Sequence, residues 1–127
     1  MEIDDELEDF IRQQFARSPY GDRISLHIGD IDRIASRLDG DYDMVYFDGN
    51  KRTYLESFLH LLPMVRPGGF IIADNTLWDG KVTDPEHNHD AQTQGICAFN
   101  DYVAASEDLL TVILPLRDGL TLIRKLR

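Results

Sequence analysis

Apolar residues along the chain follow two spacings in turn, one helical and one typical of strands, in segments of about 10–15 residues. The helical spacing predicts helices over residues 4–17, 31–38, 54–62 and 93–105. Alternating or continuous apolar runs predict strands over residues 24–28, 44–47, 70–73, 109–116 and 119–126. Chains that alternate in this way form a parallel or mostly parallel sheet with helices on its faces, so the predicted fold class is α/β.

Turn residues separate several of these segments. Pro63 is expected to end the third helix, and the sequence RPGG at residues 66–69 predicts a turn before the strand at 70–73. Residues 117–119, Arg-Asp-Gly, predict a hairpin between the last two strands. The chain has no repeat, low-complexity segment or linker, and residues 1–127 are therefore interpreted as one domain.

Charge and composition exclude several classes of partner. The formal net charge of −10 argues against nucleic acid, because phosphate backbones are bound by clustered positive charge. The basic run RKLR at residues 124–127 is interpreted as a solvated strand end. No apolar run approaches the roughly 20 residues of a membrane span, and the acidic N-terminus is unlike a signal peptide. The single cysteine, Cys97, excludes an intrachain disulfide, and the cytoplasm is the expected compartment.

Polar residues follow three of the predicted strands at their carboxyl ends, where open α/β sheets bind ligands. Asp30 follows the first strand, Asp48 and Asn50 the second, and Asp74 and Asn75 the third. Carboxylate and amide oxygens suit Mg²⁺ or Ca²⁺, and a bound cation would polarise a hydroxyl group. Spacing alone leaves open the alternative that Asp48 and Asp74 cap the following helices or accept hydrogen bonds from loop amides.

Three stretches of the chain resemble the cation-dependent O-methyltransferases of the caffeoyl-CoA and catechol type. They are YDMVYFDGNKRTY, LLPMVRPGGFIIADNTLWDGKVTDP, and FNDYV together with LPLRDGLTLIRK, in the family's order and over nearly the whole chain. The resemblance implies a Rossmann-like methyltransferase fold, with a mostly parallel sheet and an antiparallel strand near the C-terminus. It also implies that a methyl group passes from S-adenosylmethionine to a hydroxyl of a catechol-like small molecule, assisted by Mg²⁺, Ca²⁺ or Mn²⁺.

Carried over residue by residue, the resemblance assigns the metal ligands to Asp48, Asp74 and Asn75 and the catalytic base to Lys51. A nearby divalent cation favours the neutral amine of a lysine, which accepts a proton, so the assignment is chemically consistent. The alternative for Lys51 is a solvated surface lysine at a helix start. Asp79 matches a position that contacts the substrate in the family.

The implied contacts to S-adenosylmethionine lie in two parts of the chain. Glu2 matches the acid that binds the ribose hydroxyls, with a frayed terminal residue as the alternative, and Asp30 and the backbone of Ile31 match the turn against the adenine. Asp48 and Asn50 match the remaining contacts. The family often has Asp at the position of Asn50, so a negative charge near the sulfonium is lost here.

The family's first strand and glycine-rich turn have no counterpart before Glu2. The resemblance therefore implies a partial methyltransferase domain, truncated at its N-terminus. Without those elements the strands at 24–28 and 44–47 would have unpaired edges, which predicts a homo-oligomer.

Other interpretations remain. The chain is alternatively a catalytically inactive remnant that serves as a self-associating or binding module. A receiver-like domain also uses Mg²⁺ and strand-end acids, but its paired acids and its lysine are not found at matching places. His87 and His89 are interpreted as loop residues, because no third ligand is near them in the sequence.

Overall fold

The structure is a computed structural model that describes residues 1–86 and 89–127. The interpretation of His87 as a loop residue therefore lies outside the described residues. The chain divides into two compact units, Met1–Leu38 and Asp39–Arg127. The interpretation of residues 1–127 as one domain stays a prediction.

The first unit contains the helices predicted at residues 4–17 and 31–38. Helix α1, Glu8–Arg17, follows the 3₁₀ turn Asp5–Leu7, in which the side chain of Asp4 accepts the amide of Glu6. Acidic residues in this first turn interact favourably with the helix dipole. Helix α2, Ile31–Ile34, continues as a 3₁₀ turn over Ala35–Arg37, which confirms the helix predicted at 31–38.

The strand predicted at residues 24–28 was wrong. Of that segment, Ile28 alone forms a β-bridge, a parallel one with Glu2. The amide of Glu2 donates to the carbonyl of His27 at 3.0 Å, and the amide of Gly29 donates to the carbonyl of Glu2 at 2.8 Å. A ladder needs successive residues on both strands. On the other side of this bridge the chain turns away directly after Glu2, where the Glu2 side chain accepts the amide of Asp4 at 2.9 Å.

The second unit contains a four-stranded sheet with the order β1-β2-β4-β3. Its strands are β1 (Tyr42–Phe47), β2 (Val65–Asp74), β3 (Leu109–Leu114) and β4 (Leu120–Lys125). Strand β2 pairs parallel with β1, whereas β4 is antiparallel to both β2 and β3. Strands β1, β2 and β3 therefore run in one direction and β4 in the other, which confirms the predicted fold class and the C-terminal hairpin.

The turn predicted at residues 66–69 was wrong in one respect, since β2 already begins at Val65. The β1–β2 register shifts here: Tyr42 pairs with Val65, but Met44 pairs with Phe70. Residues 66–69 therefore bulge out of the ladder without ending the strand. Gly68 has φ +80°, a left-handed conformation that glycine adopts without strain.

Two helices cover one face of this sheet. Helix α3, Tyr54–Leu61, ends at the 3₁₀ turn Leu62–Met64 that contains Pro63, as predicted. Helix α4, Ala91–Ala105, is capped by Asp90. The ring of Tyr54 stacks on Phe47 of β1 at 4.2 Å and meets the edge of Phe99 from α4 at 5.0 Å. The core of the unit therefore lies between these helices and one side of the sheet.

The basic C-terminal run is partly used inside the fold. The ammonium of Lys125 donates to the carbonyls of Leu62 and Val65 at 3.1 and 2.7 Å, and Arg127 pairs with Asp108. Among residues 1–86 and 89–127, no helix is both long enough and apolar enough to cross a membrane.

Candidate active site

The candidate site begins where β1 and β2 end side by side. Phe47 and Ala73 are register partners in the parallel pair, and Asp48 and Asp74 are the residues that follow them. Parallel pairing thus brings the two predicted carboxylates to one edge of the sheet, as expected for strand-end acids. The side chain of Asp48 is about half exposed, at 54%, and Asp74 is half-buried.

Lys51 joins the ends of the two strands. Its Nζ lies 2.8 Å from Oδ1 of Asp48 and 3.1 Å from the carbonyl oxygen of Asp74. It also sits 4.3 Å above the centre of the Tyr54 ring. Lys51 is only 7% exposed, so the alternative of a solvated surface lysine is wrong.

Tyr54 is a site residue for which the sequence predicted only a place in the helix at residues 54–62. Its hydroxyl lies 3.0 Å from the carbonyl oxygen of Phe47 and 2.8 Å from that of Asp74, and shares its proton between them. Burial, followed by the negative charge of Asp48, raises the pKa of Tyr54 well above its ordinary value. The phenol therefore stays protonated and ties the two strand ends together.

Tyr46 also contacts the site, through the side chain of Asp74. Its hydroxyl donates to Oδ2 of Asp74, while Oδ1 of Asp74 accepts the amide of Asn75 at 2.8 Å. The hydrogen bond to Asp74, with smaller effects of burial and charge, raises the pKa of Tyr46. Asp74 thus accepts a loop amide, one of the two alternatives left open above, and each of its oxygens keeps a second lone pair for another partner.

The loop after β2 has an unusual backbone. Asn75, Trp78 and Asp79 have φ values of 61°, 48° and 55°, in the left-handed region that non-glycine residues seldom adopt. Such conformations persist only where the surroundings hold them. The loop bearing Asn75 and Asp79 is therefore shaped by contacts elsewhere in the fold.

Those contacts come mainly from the hairpin between β3 and β4. The amide of Thr76 donates to the carbonyl of Gly119 at 3.2 Å, and the amide of Leu77 donates to that of Asp118 at 2.9 Å. The carboxylate of Asp118 also accepts the amide of Asp79. Thr76 is buried, and its hydroxyl bonds that of Thr121 at 2.7 Å. Thr76 is thus an anchor of the loop rather than an exposed polar group.

The other predicted residues of the second unit have local contacts of their own. Oδ1 of Asn50 accepts the amide of Arg52 at 3.1 Å and caps the 3₁₀ turn Lys51–Thr53. Asp79 is exposed and lies in the same loop as Asn75. The cofactor role of Asn50 and the substrate role of Asp79 stay predictions.

The remaining predicted contacts to the cofactor lie in the first unit. The bridge between Glu2 and Ile28 places Glu2 beside the segment that leads into Asp30 and Ile31. Both the N–H and the C=O of Glu2 are hydrogen-bonded to this segment, so Glu2 is not a frayed terminal residue. The carbonyl of Asp30 accepts the amides of Arg33 and Ile34 at the start of α2. Their roles toward the cofactor stay predictions.

Gly95 of α4 is a further residue that the sequence analysis missed. A Cβ atom at this position would overlap the carbonyl oxygen of Lys51 and lie 2.9 Å from that of Arg52. The absence of a side chain lets α4 approach the turn that carries Lys51. A glycine inside an apolar helical pattern was the available sequence signal.

The oxygen donors fit a hard divalent cation in their chemistry. Asp48 and Asp74 provide two carboxylates and Asn75 an amide oxygen, while the ammonium of Lys51 leaves one net negative charge among these four side chains. Within the described parts of the chain, no cluster of three or more His, Cys, Asp or Glu residues could hold a metal. A cation here would therefore depend on the amide of Asn75 and on oxygens from outside the protein.

Comparison with known proteins identifies the family of this chain. The family model described as O-methyltransferase matches residues 1–126. Caffeoyl-CoA O-methyltransferase 2 of Zea mays is 36% identical over 96 residues, which cover 69% of this chain and 35% of the maize protein. Catechol O-methyltransferase of Niastella koreensis is 39% identical over 75 residues, which cover 59% of this chain and 34% of that protein.

A solved structure matches over almost the full length of the chain. The O-methyltransferase TomG from Streptomyces achromogenes, in complex with SAM, has a TM-score of 0.90 and 28% identity, covering 99% of this chain and 60% of TomG. This chain thus spans about a third of the length of the two curated relatives and 60% of TomG. From the family match and these relatives, the chain belongs to the O-methyltransferase family.

Proposed function

We propose that this chain carries out S-adenosylmethionine-dependent, divalent-cation-assisted methyl transfer to a hydroxyl of a catechol-like small molecule. The observation that carries the proposal is the buried Lys51, held between the carboxylate of Asp48 and the end of β2. Membership of the O-methyltransferase family supports it, as do relatives named for caffeoyl-CoA and catechol. The cytoplasm, favoured by a single cysteine, is the proposed compartment.

When bound, S-adenosylmethionine would supply the methyl group, and the cation would favour loss of the proton from the acceptor hydroxyl. Lys51 is suited to take that proton. A neutral lysine amine has two N–H groups and one lone pair. The two N–H groups can serve Asp48 and the Asp74 carbonyl, so the lone pair remains for the acceptor's proton. These two contacts therefore leave one position on the nitrogen for the acceptor's proton.

Asp48, Asp74 and Asn75 would hold the cation through oxygen. The Tyr46 hydroxyl and the Asn75 amide fix both oxygens of Asp74, which orients that carboxylate before any ligand binds. Glu2, Asp30 and the backbone of Ile31 are the proposed contacts of the ribose and adenine, and Asp48 and Asn50 are the other proposed contacts of the cofactor. Asp79 is the proposed substrate contact.

Calorimetric titration of S-adenosylmethionine into the 127-residue chain with Mg²⁺ tests the first step, and methylation of a catechol tests the second. We expect Lys51→Met to retain cofactor binding and to lose methyl transfer by at least about 100-fold, the range of a missing general base. We expect Asp74→Ala to abolish the response of the rate to Mg²⁺. Asp101→Ala, an exposed acid on α4, is the matched control and should change neither.

Two results would contradict the proposal. An unchanged rate in Lys51→Met would remove the lysine from the chemistry, and an unchanged rate in excess EDTA would remove the cation. Failure of the folded wild-type chain to bind S-adenosylmethionine would favour the alternative, a catalytically inactive binding module.

A further inference from the structure

The hydroxyl of Tyr46 contacts Asp74 across two neighbouring strands. Tyr46 is the register partner of Ile72 in the parallel pair of β1 and β2, and Asp74 lies two residues farther along β2. Because side chains alternate between the two faces of a sheet, Tyr46 and Asp74 are on the same face. The Tyr46 hydroxyl donates to Oδ2 of Asp74. Tyr46 therefore touches a proposed ligand of the cation directly.

The second oxygen of Asp74 also has a donor. Oδ1 accepts the amide of Asn75 at 2.8 Å, and Asn75 is held in a left-handed conformation with φ 61°. The two donors thus come from different elements, the hydroxyl from β1 and the amide from the loop after β2. A cation bound through both oxygens of Asp74 would compete with both donors for lone pairs and space, whereas a cation bound through one oxygen would compete with only one. The arrangement favours contact through a single oxygen.

Asp48 is limited to one oxygen for an electrostatic reason. The ammonium of Lys51 lies 2.8 Å from Oδ1 of Asp48. That ammonium repels a divalent cation at close range, so Oδ2 is the oxygen of Asp48 that remains for the cation. The ligand set proposed above, which also includes the amide of Asn75, therefore offers one oxygen from each side chain.

Single-oxygen ligands bear on which cation fits the site. Mg²⁺ is bound by about six oxygens in a near-octahedral arrangement, keeps several waters, and usually has only one or two carboxylates among its ligands. Ca²⁺ is larger, is bound by about six to eight oxygens, and commonly holds a carboxylate through both of its oxygens. A site in which each side chain offers one oxygen therefore suits Mg²⁺ better than Ca²⁺.

We propose that Tyr46 is a specificity-determining residue of the cation site, whose hydroxyl favours Mg²⁺ over Ca²⁺ by occupying one oxygen of Asp74. This inference rests on the proposed function, because it requires that Asp48, Asp74 and Asn75 hold the cation. Phenylalanine at position 46 would keep the ring and remove the hydroxyl. Oδ2 of Asp74 would then lose its donor, and both oxygens would become accessible to the larger cation.

Competition with Mn²⁺ tests the proposal on the full 127-residue chain without cofactor or acceptor. Carboxylate oxygens bind Mn²⁺ as well as Mg²⁺ and Ca²⁺, and electron paramagnetic resonance measures the Mn²⁺ that stays free. Titration of Mg²⁺ or Ca²⁺ against bound Mn²⁺ gives a displacement constant for each, and the ratio of the two constants is the selectivity. Asp74→Ala defines the Mn²⁺ binding that belongs to this site rather than to other acids of a chain with net charge −10.

Tyr46→Phe is the test variant and Tyr42→Phe its matched control. Both substitutions remove one hydroxyl from β1, but Tyr42 pairs with Val65, at the opposite end of β2 from Asp74. We expect the wild-type site to bind Mg²⁺ more tightly than Ca²⁺. Tyr46→Phe should lower the selectivity for Mg²⁺ by about threefold or more, the effect of one hydrogen bond. Tyr42→Phe should leave it unchanged.

Selectivity that is unchanged in Tyr46→Phe, or changed equally in Tyr42→Phe, would overturn this inference and leave the proposed methyl transfer standing. A wild-type site that prefers Ca²⁺ would do the same. A wild-type chain whose Mn²⁺ binding does not depend on Asp74 would instead overturn the cation-assisted part of the proposed function together with this inference.

Discussion

A buried lysine between two strand ends is the main chemical feature of single residues in this protein. Lys51 forms an ion pair with Asp48, and both its Nζ and the hydroxyl of Tyr54 donate to the carbonyl of Asp74. Burying an ammonium is costly unless a charged partner and hydrogen bonds compensate. The strand-end contacts supply that compensation, so the amine is held in place without any ligand.

Gly119 lies directly against the loop Asn75–Asp79. It has φ +84°, and a Cβ atom there would lie 2.7 Å from the amide nitrogen of Leu77. We expect Gly119→Ala to cost about 1–3 kcal/mol from overpacking, in addition to the strain of a positive φ, which is about 1 kcal/mol. Urea unfolding of the wild type and the variant measures this difference in the free energy of unfolding.

Gly80→Ala is the matched control for that substitution. Gly80 also has a positive φ, +75°, but a Cβ atom there meets nothing within 4 Å. We expect this variant to show only the conformational strain. Equal losses of stability in the two variants would mean that the contact between the hairpin and the loop does not matter.

Among the elements, α4 determines how the turn bearing Lys51 is packed. We expect Gly95→Ala to destabilise the protein although alanine favours a helix by about 1 kcal/mol over glycine, because the added Cβ overlaps the carbonyl oxygen of Lys51. Ala98→Gly, at an exposed position of the same helix, should destabilise the protein by about 1 kcal/mol, the difference in helix propensity between the two residues. Chemical denaturation of both variants checks the pair. A gain of stability in Gly95→Ala would refute the close approach.

The start of α4 should contribute a pH-dependent part of the stability. The side chain of Asp90 accepts the amides of Gln92 and Thr93 and the hydroxyl of Thr93. These bonds, the Thr93 hydroxyl first, lower the pKa of Asp90. A lowered folded-state pKa means that the stabilisation is present above the unfolded pKa and is lost as pH falls through the folded pKa.

We therefore expect Asp90→Ala to lower the melting temperature at pH 7 and to have little effect once the pH is below the folded pKa of Asp90. Thermal unfolding at several pH values measures this difference. Asp90→Asn is the control, since an amide caps a helix without titrating. The same melting-temperature loss for Asp90→Ala at neutral and strongly acidic pH would be inconsistent with the carboxylate as the cap.

At the level of the whole molecule, the two units should differ in local stability. Nearly all buried apolar side chains belong to the second unit, whereas α1 has none. Local opening requires less free energy where few apolar contacts are lost. In dilute solution we expect amides of α1 to exchange hydrogen at least about tenfold faster than those of β2, measured by mass spectrometry. Equal exchange of α1 and β2 would contradict this prediction.

The sequence predicted most of the elements because their apolar periodicity is local. The helices at 4–17, 54–62 and 93–105 and the C-terminal hairpin follow from spacing, caps and turn residues alone. The prediction failed at residues 24–28. Alternation shows that a segment can be a strand, but it does not show whether an extended segment runs beside it and pairs with it. The prediction also failed at 66–69, where turn residues formed a bulge inside β2.

The order of residues is enough to show which chemical groups follow the strands, namely the carboxylates of Asp48 and Asp74, the amide of Asn75 and the amine of Lys51. The environment of these groups depends on the folded structure. The burial of Lys51, the contact of Tyr46 with Asp74 and the close approach at Gly95 join residues about 20 to 45 positions apart, and such contacts leave no periodic signal. The exposure of the sheet face that carries Met44, Phe70 and Leu110 was likewise undetermined, since an apolar strand has the same sequence pattern whether or not another layer covers it.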